Sequence, residues 1–334
     1  MKILVTGGAG FLGQKLIDAL LERGNLRLAD GELPIERIVC FDRSLGVLQD
    51  PRVENVAGDI ADPAVVHRLV DRDTAAIVHL AAVVSGTAEA DFDLGMRVNL
   101  DGTRLLLEAC RAVGHRPRLL FSSSIAVFGG DLPETVDDST TPTPQGSYGV
   151  QKLIGEQLVQ DFSRKGYIDG RSVRVPTVVV RPGLPNGAAS GFASGIIREP
   201  LAGVEAILPV DPSTEMWVAS PRAVVGMFLH ALELPAGDWG WNRSVNLPGL
   251  VVSMEQELEA LRQVGGAPAV ALVRHEPDEQ VLRLVRTWAA RFDTARARAM
   301  GFSADANFES IVRAYVADNP DAVRLSAAAG QGLG

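Results

Sequence analysis

The first 24 residues constrain the fold more than any other part of the chain. Lys2 to Thr6 is an apolar strand pattern, and Phe11 to Arg23 carries helical spacing closed by Gly24. Between them runs Thr6-Gly7-Gly8-Ala9-Gly10-Phe11-Leu12-Gly13. A glycine turn that ends a strand and opens a helix places free backbone N–H groups, and the positive end of the helix, at one point. The spacing of Gly7, Gly10 and Gly13 suits a tight turn, a close backbone approach to a pyrophosphate and close helix–strand packing, in that order.

Downstream the alternation continues. Strands are expected at Arg37–Phe41, Val53–Ala57, Ala76–Leu80, Leu119–Ser122 and Val175–Val180, and long helices at Asp93–Val113 and Ser147–Lys165. Apolar strands alternating with helices give an α/β fold, a doubly wound parallel Rossmann sheet covered on both faces. After Arg181-Pro182-Gly183 the segments shorten and Pro and Gly become more frequent. Helices are expected there at Phe192–Leu201, Pro221–Leu234, Met254–Gln263 and Glu279–Ala290, and strands at Val245–Leu247 and Val270–Val273. The reading is residues 1–183 as a dinucleotide-binding domain and 184–325 as a smaller substrate-binding cap, with segments returning to the main sheet. Residues 326–334, rich in Ala and Gly, form a flexible tail.

Composition narrows the function. A formal charge of −9 and the lack of a basic stripe argue against a nucleic-acid partner. No apolar run approaches the roughly 18 residues of a membrane span, and no basic leader precedes the first strand. Cys40 and Cys110 are too few for a disulfide scaffold and read as core thiols of a cytoplasmic protein. The histidines show no metal-ligand spacing, so no metal is expected, and His79 reads as a core residue.

Tyr148 and Lys152 carry the chemistry. Four apart on a helix, they share a face. With three tyrosines and four lysines in the chain, chance gives about 0.04 such pairs. A phenolate is a base, and Lys152 together with an oxidised nicotinamide should lower the phenol from its usual value of about 10. Lys152 would also reach the nicotinamide ribose. Ser122 and Ser124 end the fifth strand, where such sheets bind ligands; Ser124 would donate to a substrate oxygen and accept from Tyr148. Asp42 ends the second strand, placed to accept from a ribose diol and to repel a 2′-phosphate, which favours NAD over NADP; Arg43 acts against that preference. Its wide separation from Gly13 is explained by an insertion at Asn25–Glu36.

These motifs, with Asp59-Ile60, Leu80-Ala81-Ala82 and Asn99, resemble the extended short-chain dehydrogenase/reductase family in its epimerase/dehydratase branch, over Met1 to about Gly187. The resemblance implies a catalytic trio of Ser124, Tyr148 and Lys152, with Asn99 supporting a water network. It implies a cofactor site that adds Phe11, Leu12, Asp59, Ile60, Leu80, Ala81, Ala82, Pro182, Gly183 and Leu184 to the glycine loop. It also implies a homodimer formed through the two long helices.

Two departures discriminate within the branch. The segment Arg181–Gly187 lacks the aromatic–Asn signature of nucleotide-sugar epimerases, and Ser124 is followed by Ile125 rather than the acid of the dehydratases. Ser190–Leu201 and Ser213–Arg222 are similar to the D-erythronate dehydrogenases, which implies NAD-dependent oxidation of the 2-hydroxyl of a small sugar acid. Arg198 and Arg222 are the expected carboxylate binders, with Arg174 behind them. Ser85 and Ser194 are expected on substrate hydroxyls, and Trp217 over the pocket. The alternatives are an NDP-sugar epimerase that retains its NAD and a non-catalytic NAD(H)-sensing protein.

Overall fold

The computed structural model describes residues 1–28, 31–183 and 190–326. Its centre is a seven-stranded sheet built from β1 (Lys2–Thr6), β2 (Arg37–Asp42), β3 (Val53–Ala57), β4 (Thr74–His79), β5 (Arg118–Ser124), β6 (Asp169–Val175) and β7 (Ser244–Asn246). The spatial order is β7-β6-β5-β4-β1-β2-β3, and every pairing is parallel. The winding reverses beside β1, so a crevice opens at the carboxyl ends of β1 and β4, where doubly wound sheets bind ligands.

Both faces of the sheet are buried. Ile3, Val5, Ile38 and Val78 point towards helix α1 (Phe11–Arg23) and a late helix, Pro221–Glu233. Leu4, Val39, Ile77 and Leu119 point the other way, towards Leu106, Leu107 and Val159 of α2 (Gly102–Val113) and α3 (Ser147–Arg164). The expected long helix at Asp93–Val113 is three segments, because Met96–Asp101 takes a π-helical turn. That turn carries Asn99 inward, and such turns concentrate at functional sites.

Two further strand and insertion readings are refined. The Asn25–Glu36 insertion contains an antiparallel pair, Asn25–Leu28 with Gly31–Pro34. The sixth strand of the main sheet is Asp169–Val175, earlier than the expected Val175–Val180. Its sequence DGRSVRV is polar yet buried throughout, so hydrophobic pattern does not reveal it. Pro176 then follows without an N–H for the ladder. Thr177–Val178 leaves the main sheet and pairs with Glu215–Ala219, which also pairs with Leu250–Ser253.

The later residues have their own core, in which Ile196, Ile197, Val218, Leu261, Ile311 and Val312 meet. Helix Met254–Val270 opens with a Ser253/Gln256 capping box and turns at Gly266, whose φ is +80°. It therefore extends beyond the expected Gln263. Ser244–Asn246 lies at the edge of the main sheet against β6. The thiols of Cys40 and Cys110 are free and buried. No helix among the described residues is long and apolar enough to cross a membrane.

Candidate active site

The glycine loop joins β1 to α1 as its spacing requires. Gly7 has φ +73°, and a Cβ there would lie 2.7 Å from the Ala81 nitrogen, so the loop after β4 presses directly on it. A Cβ at Gly13 would lie 2.3 Å from the Gly7 oxygen. No side chain caps the N-terminus of α1 at Gly10. The loop is thus a bare backbone cradle at a helix N-terminus, which suits a pyrophosphate. Asp42 leans onto it, accepting from the Ala9 N–H at 3.1 Å and the Arg43 N–H at 2.6 Å. Asp59 accepts from the Ala61 N–H at 2.9 Å and pairs with Arg97. Those partners, the Ala61 N–H foremost, hold its carboxyl below the usual range against a burial cost. Ile60 is buried in the core beneath. Leu80 and Ala81 donate to Thr6, at its carbonyl (3.0 Å) and hydroxyl (3.3 Å), and Ala82 follows. These residues fit a dinucleotide running from β2 and β3 across β1 to β4.

Beyond β4 the crevice widens into a cleft of about 750 Å³. Phe11, Leu12, Ser122, Ser124 and Tyr148 face it from the sheet side, Ser85 and Glu89 from one wall, and Trp217 and Trp288 from the cap. Ser124 accepts from the Ala126 N–H at 3.1 Å, and its hydroxyl is set beside Tyr148. Trp217 is buried, donates from its indole to the Leu247 carbonyl at 3.3 Å and packs on Phe292.

Lys152 lies beneath the cleft floor, donating to the Ser122 carbonyl at 2.8 Å, with its Nζ 5.6 Å from the centre of the Tyr148 ring. Asn99 accepts from the Val83 N–H at 2.8 Å and donates to Gln151 at 2.7 Å, so its side chain ties the π-helical turn to α3. His79 is buried between Thr6 and Thr103, at 2.7 and 2.9 Å, and burial pushes it down to about 3.

Burial of the Tyr148 ring works against the lowering expected from Lys152 and the nicotinamide. It pushes the phenol up to about 12, and the Ser124 hydroxyl and the Arg181 cation only partly oppose this. Burial likewise drives the Lys152 ammonium down to about 8.

The expected carboxylate binders are not in the cleft. Arg222 is turned outward onto Asp318, which also holds Lys15 at 2.8 Å. Arg198 donates to the Arg181 carbonyl at 2.8 Å and pairs with Glu199. Arg174 is buried on Glu156. Ser194 does not line the cleft either, since its hydroxyl accepts the Arg181 N–H at 3.1 Å. Pro182 faces a separate hollow beside Lys15 and Arg222. Successive residues of extended chain point opposite ways, so with Arg181 inward Pro182 is outward. Gly183 is in the left-handed region at φ +81°, and Leu184 lies outside the described residues.

Arg181 is what the sequence reading passed over. Half-buried, it lines the cleft and acts electrostatically on Tyr148. Burial, and then Arg198, lower its affinity for its proton. One Nη donates to Ser190 at 2.8 Å, while its buried Nε has no partner among the described residues. Its signal was position, just past the end of a strand that follows α3.

A profile of the NAD dependent epimerase/dehydratase family matches residues 3–218. The chain belongs to that family. It is 53% identical to a Cupriavidus necator protein named D-erythronate dehydrogenase, across 95% of this chain and 98% of that one. A Haemophilus influenzae protein of the same name is 42% identical across 95% of this chain and 99% of its own length. Among solved structures, one described as the nucleoside-diphosphate-sugar epimerase from Agrobacterium tumefaciens superposes with a TM-score of 0.91 at 43% identity, covering 96% of this chain and 95% of that one.

Proposed function

We propose that this chain is an NAD-dependent dehydrogenase that oxidises the 2-hydroxyl of D-erythronate to 2-dehydro-D-erythronate, with Tyr148 as the base. The observation that carries the reading is one cleft lined by a half-buried tyrosine beside a serine hydroxyl and by an arginine whose buried Nε has no partner among the described residues. A 2-hydroxy acid needs that combination: a base at the alcohol and a fork for the neighbouring carboxylate. The two D-erythronate dehydrogenases quoted above support the choice of acid.

When bound, NAD would supply the hydride acceptor for the C2 hydrogen and a cationic ring. The chain does the rest. Ser124 donates to the substrate oxygen, and Tyr148 as phenolate takes its proton as the carbonyl forms. Arg181 holds the carboxylate, with its backbone fixed by Ser194 and Arg198. Ser85 offers a hydroxyl to the polyol tail, and Trp217 closes the apolar wall. Gly7, Gly10, Gly13, Asp42 and Asp59 hold the dinucleotide, and Asp42 selects NAD over its 2′-phosphorylated form. The reading includes a cytoplasmic homodimer joined through Asp93–Val113 and Ser147–Lys165, supported by the exposure of Val150 (41%) on the second segment and of Phe92 (58%) immediately before the first. Residues 184–325 are taken as the substrate-binding region of the same enzyme.

The direct test mixes protein, NAD and D-erythronate and follows reduced cofactor. Many turnovers per protein are expected. The epimerase reading, which the Agrobacterium protein's description favours, instead requires conversion of a UDP-sugar with no net reduced cofactor. Nucleotide binding without turnover on a panel of hydroxy acids would leave only the sensor.

Arg181→Met should raise KM for D-erythronate by about 10²-fold, the cost of about 2–3 kcal/mol for losing a charged hydrogen-bonded partner, with NAD affinity retained. Arg222→Ala should leave KM unchanged, since that guanidinium is already held by Asp318. A large KM effect at Arg222 and none at Arg181 would reverse the assignment.

A further inference from the structure

We propose that Glu156 is a positioning residue that keeps Lys152 charged, its carboxylate held in place by Ser123 and Arg174. The inference rests on the reading of Tyr148 and Lys152 given above and deepens it. Tyr148, Lys152 and Glu156 stand at successive four-residue steps on one face of α3. Glu156 is 1% exposed and Lys152 3%, so neither charge is screened by water. The Lys152 ammonium has the neutral Ser122 carbonyl as its hydrogen-bond partner and lies 4.9 Å from the Phe121 ring centre. Neither contact replaces the hydration of a cation, and a buried lysine without an anion loses its proton.

The charged and titratable groups facing Lys152 are few. His79 from β4 is held neutral between two threonine hydroxyls. Tyr148 lies one turn before it on α3. Arg174 from β6 lies beyond Glu156 and grips both of its oxygens, at 2.8 and 2.9 Å. Glu156 is the group that raises Lys152 against the fall caused by burial. Ser123 donates to the same carboxylate, and Asn246 of the edge strand accepts from Arg174 at 3.3 Å. The carboxylate is therefore fixed from β5, β6 and β7 at once. Lys152 on Ser122 and Glu156 on Ser123 also pin the strand end that presents Ser124.

A bland alternative is that Glu156 serves only to neutralise Arg174. The two differ in the pair variant Glu156→Gln/Arg174→Gln, which removes both charges together and leaves no buried ion unpaired. The readouts are an NMR titration of the Lys152 ammonium in ¹⁵N-lysine-labelled, NAD-free protein, and the pH profile of kcat. Removing a nearby negative charge disfavours the ammonium, so Lys152 should lose its proton at lower pH. In Glu156→Gln and in the pair variant we expect the midpoint to fall from near 8 by at least about one pH unit. The alkaline limb of kcat should fall with it, costing about fivefold at pH near 8 and about tenfold above it. Glu156→Asp should recover much of both.

A folded pair variant with the wild-type midpoint and profile would overturn the proposal. If neither substituted protein folds, the wild-type titration decides: a Lys152 already neutral at about pH 6 would show that the carboxylate does not hold its proton. Because that titration uses NAD-free protein, it separates failure of this inference from failure of the dehydrogenase reading, which would appear as wild-type protein inert towards D-erythronate.

Discussion

Tyr148→Phe should lower kcat by about 10³-fold while NAD still binds, the size expected when a general base is removed from a site that otherwise stays intact. The substitution deletes one hydroxyl from a ring that is otherwise packed, so the stability cost is held to about 1 kcal/mol. The loss in rate, about 4 kcal/mol by contrast, identifies a role in the transition state. Lys152, Asn99 and the glycine loop keep their own partners in this variant, because none of their hydrogen bonds passes through the phenol oxygen. Steady-state kinetics with D-erythronate and a nucleotide-binding titration give the two halves of the result. A variant retaining more than about a tenth of the wild-type kcat would remove Tyr148 as the base.

Asp169→Ala should destabilise the fold by about 3–5 kcal/mol, measured as a fall in the free energy of unfolding from denaturant titration. Asp169 opens β6 and accepts from Arg171 at 2.7 Å and Arg118 at 3.2 Å, with Arg243 at 3.7 Å. Arg171 is fully buried and Arg118 nearly so. Both donate to the Leu232 carbonyl at the end of helix Pro221–Glu233, at 2.9 and 2.6 Å, and Arg171 also to that of Ala231. This caps a helix terminus with cations, the favourable sign for its dipole. Removing the carboxylate leaves two buried guanidinium ions with carbonyls alone, which is far costlier than losing a surface pair. Asp169→Asn keeps the acceptor and should cost less. A loss below about 1 kcal/mol in the alanine variant would mean that carbonyls and water suffice for both arginines.

The same strand shows where sequence reading stops. β1, the glycine loop and α1 are legible because their signal is local: an apolar run, a turn that only glycine fits, a helical period. Tyr148 and Lys152 are legible because helix geometry fixes their relation. β6 is hidden because its charges are compensated by residues distant in sequence, Asp169 by Arg118 and Arg174 by Glu156. The same holds for the carboxylate binder. Arg222 has the right chemistry, but Asp318, 96 residues away, takes it. Arg181 has the same chemistry, and only the chain path after Thr177–Val178 brings it to Tyr148. The raised phenol is a third instance, since burial is a property of the assembled site and outweighs the charges that spacing alone suggests.

The measurement that reaches the central claim most directly is turnover of D-erythronate deuterated at C2. The account requires one reduced cofactor per acid oxidised, with the deuterium recovered on the reduced nicotinamide and none released to water. Acid converted without net cofactor reduction, or label lost to solvent, would contradict it.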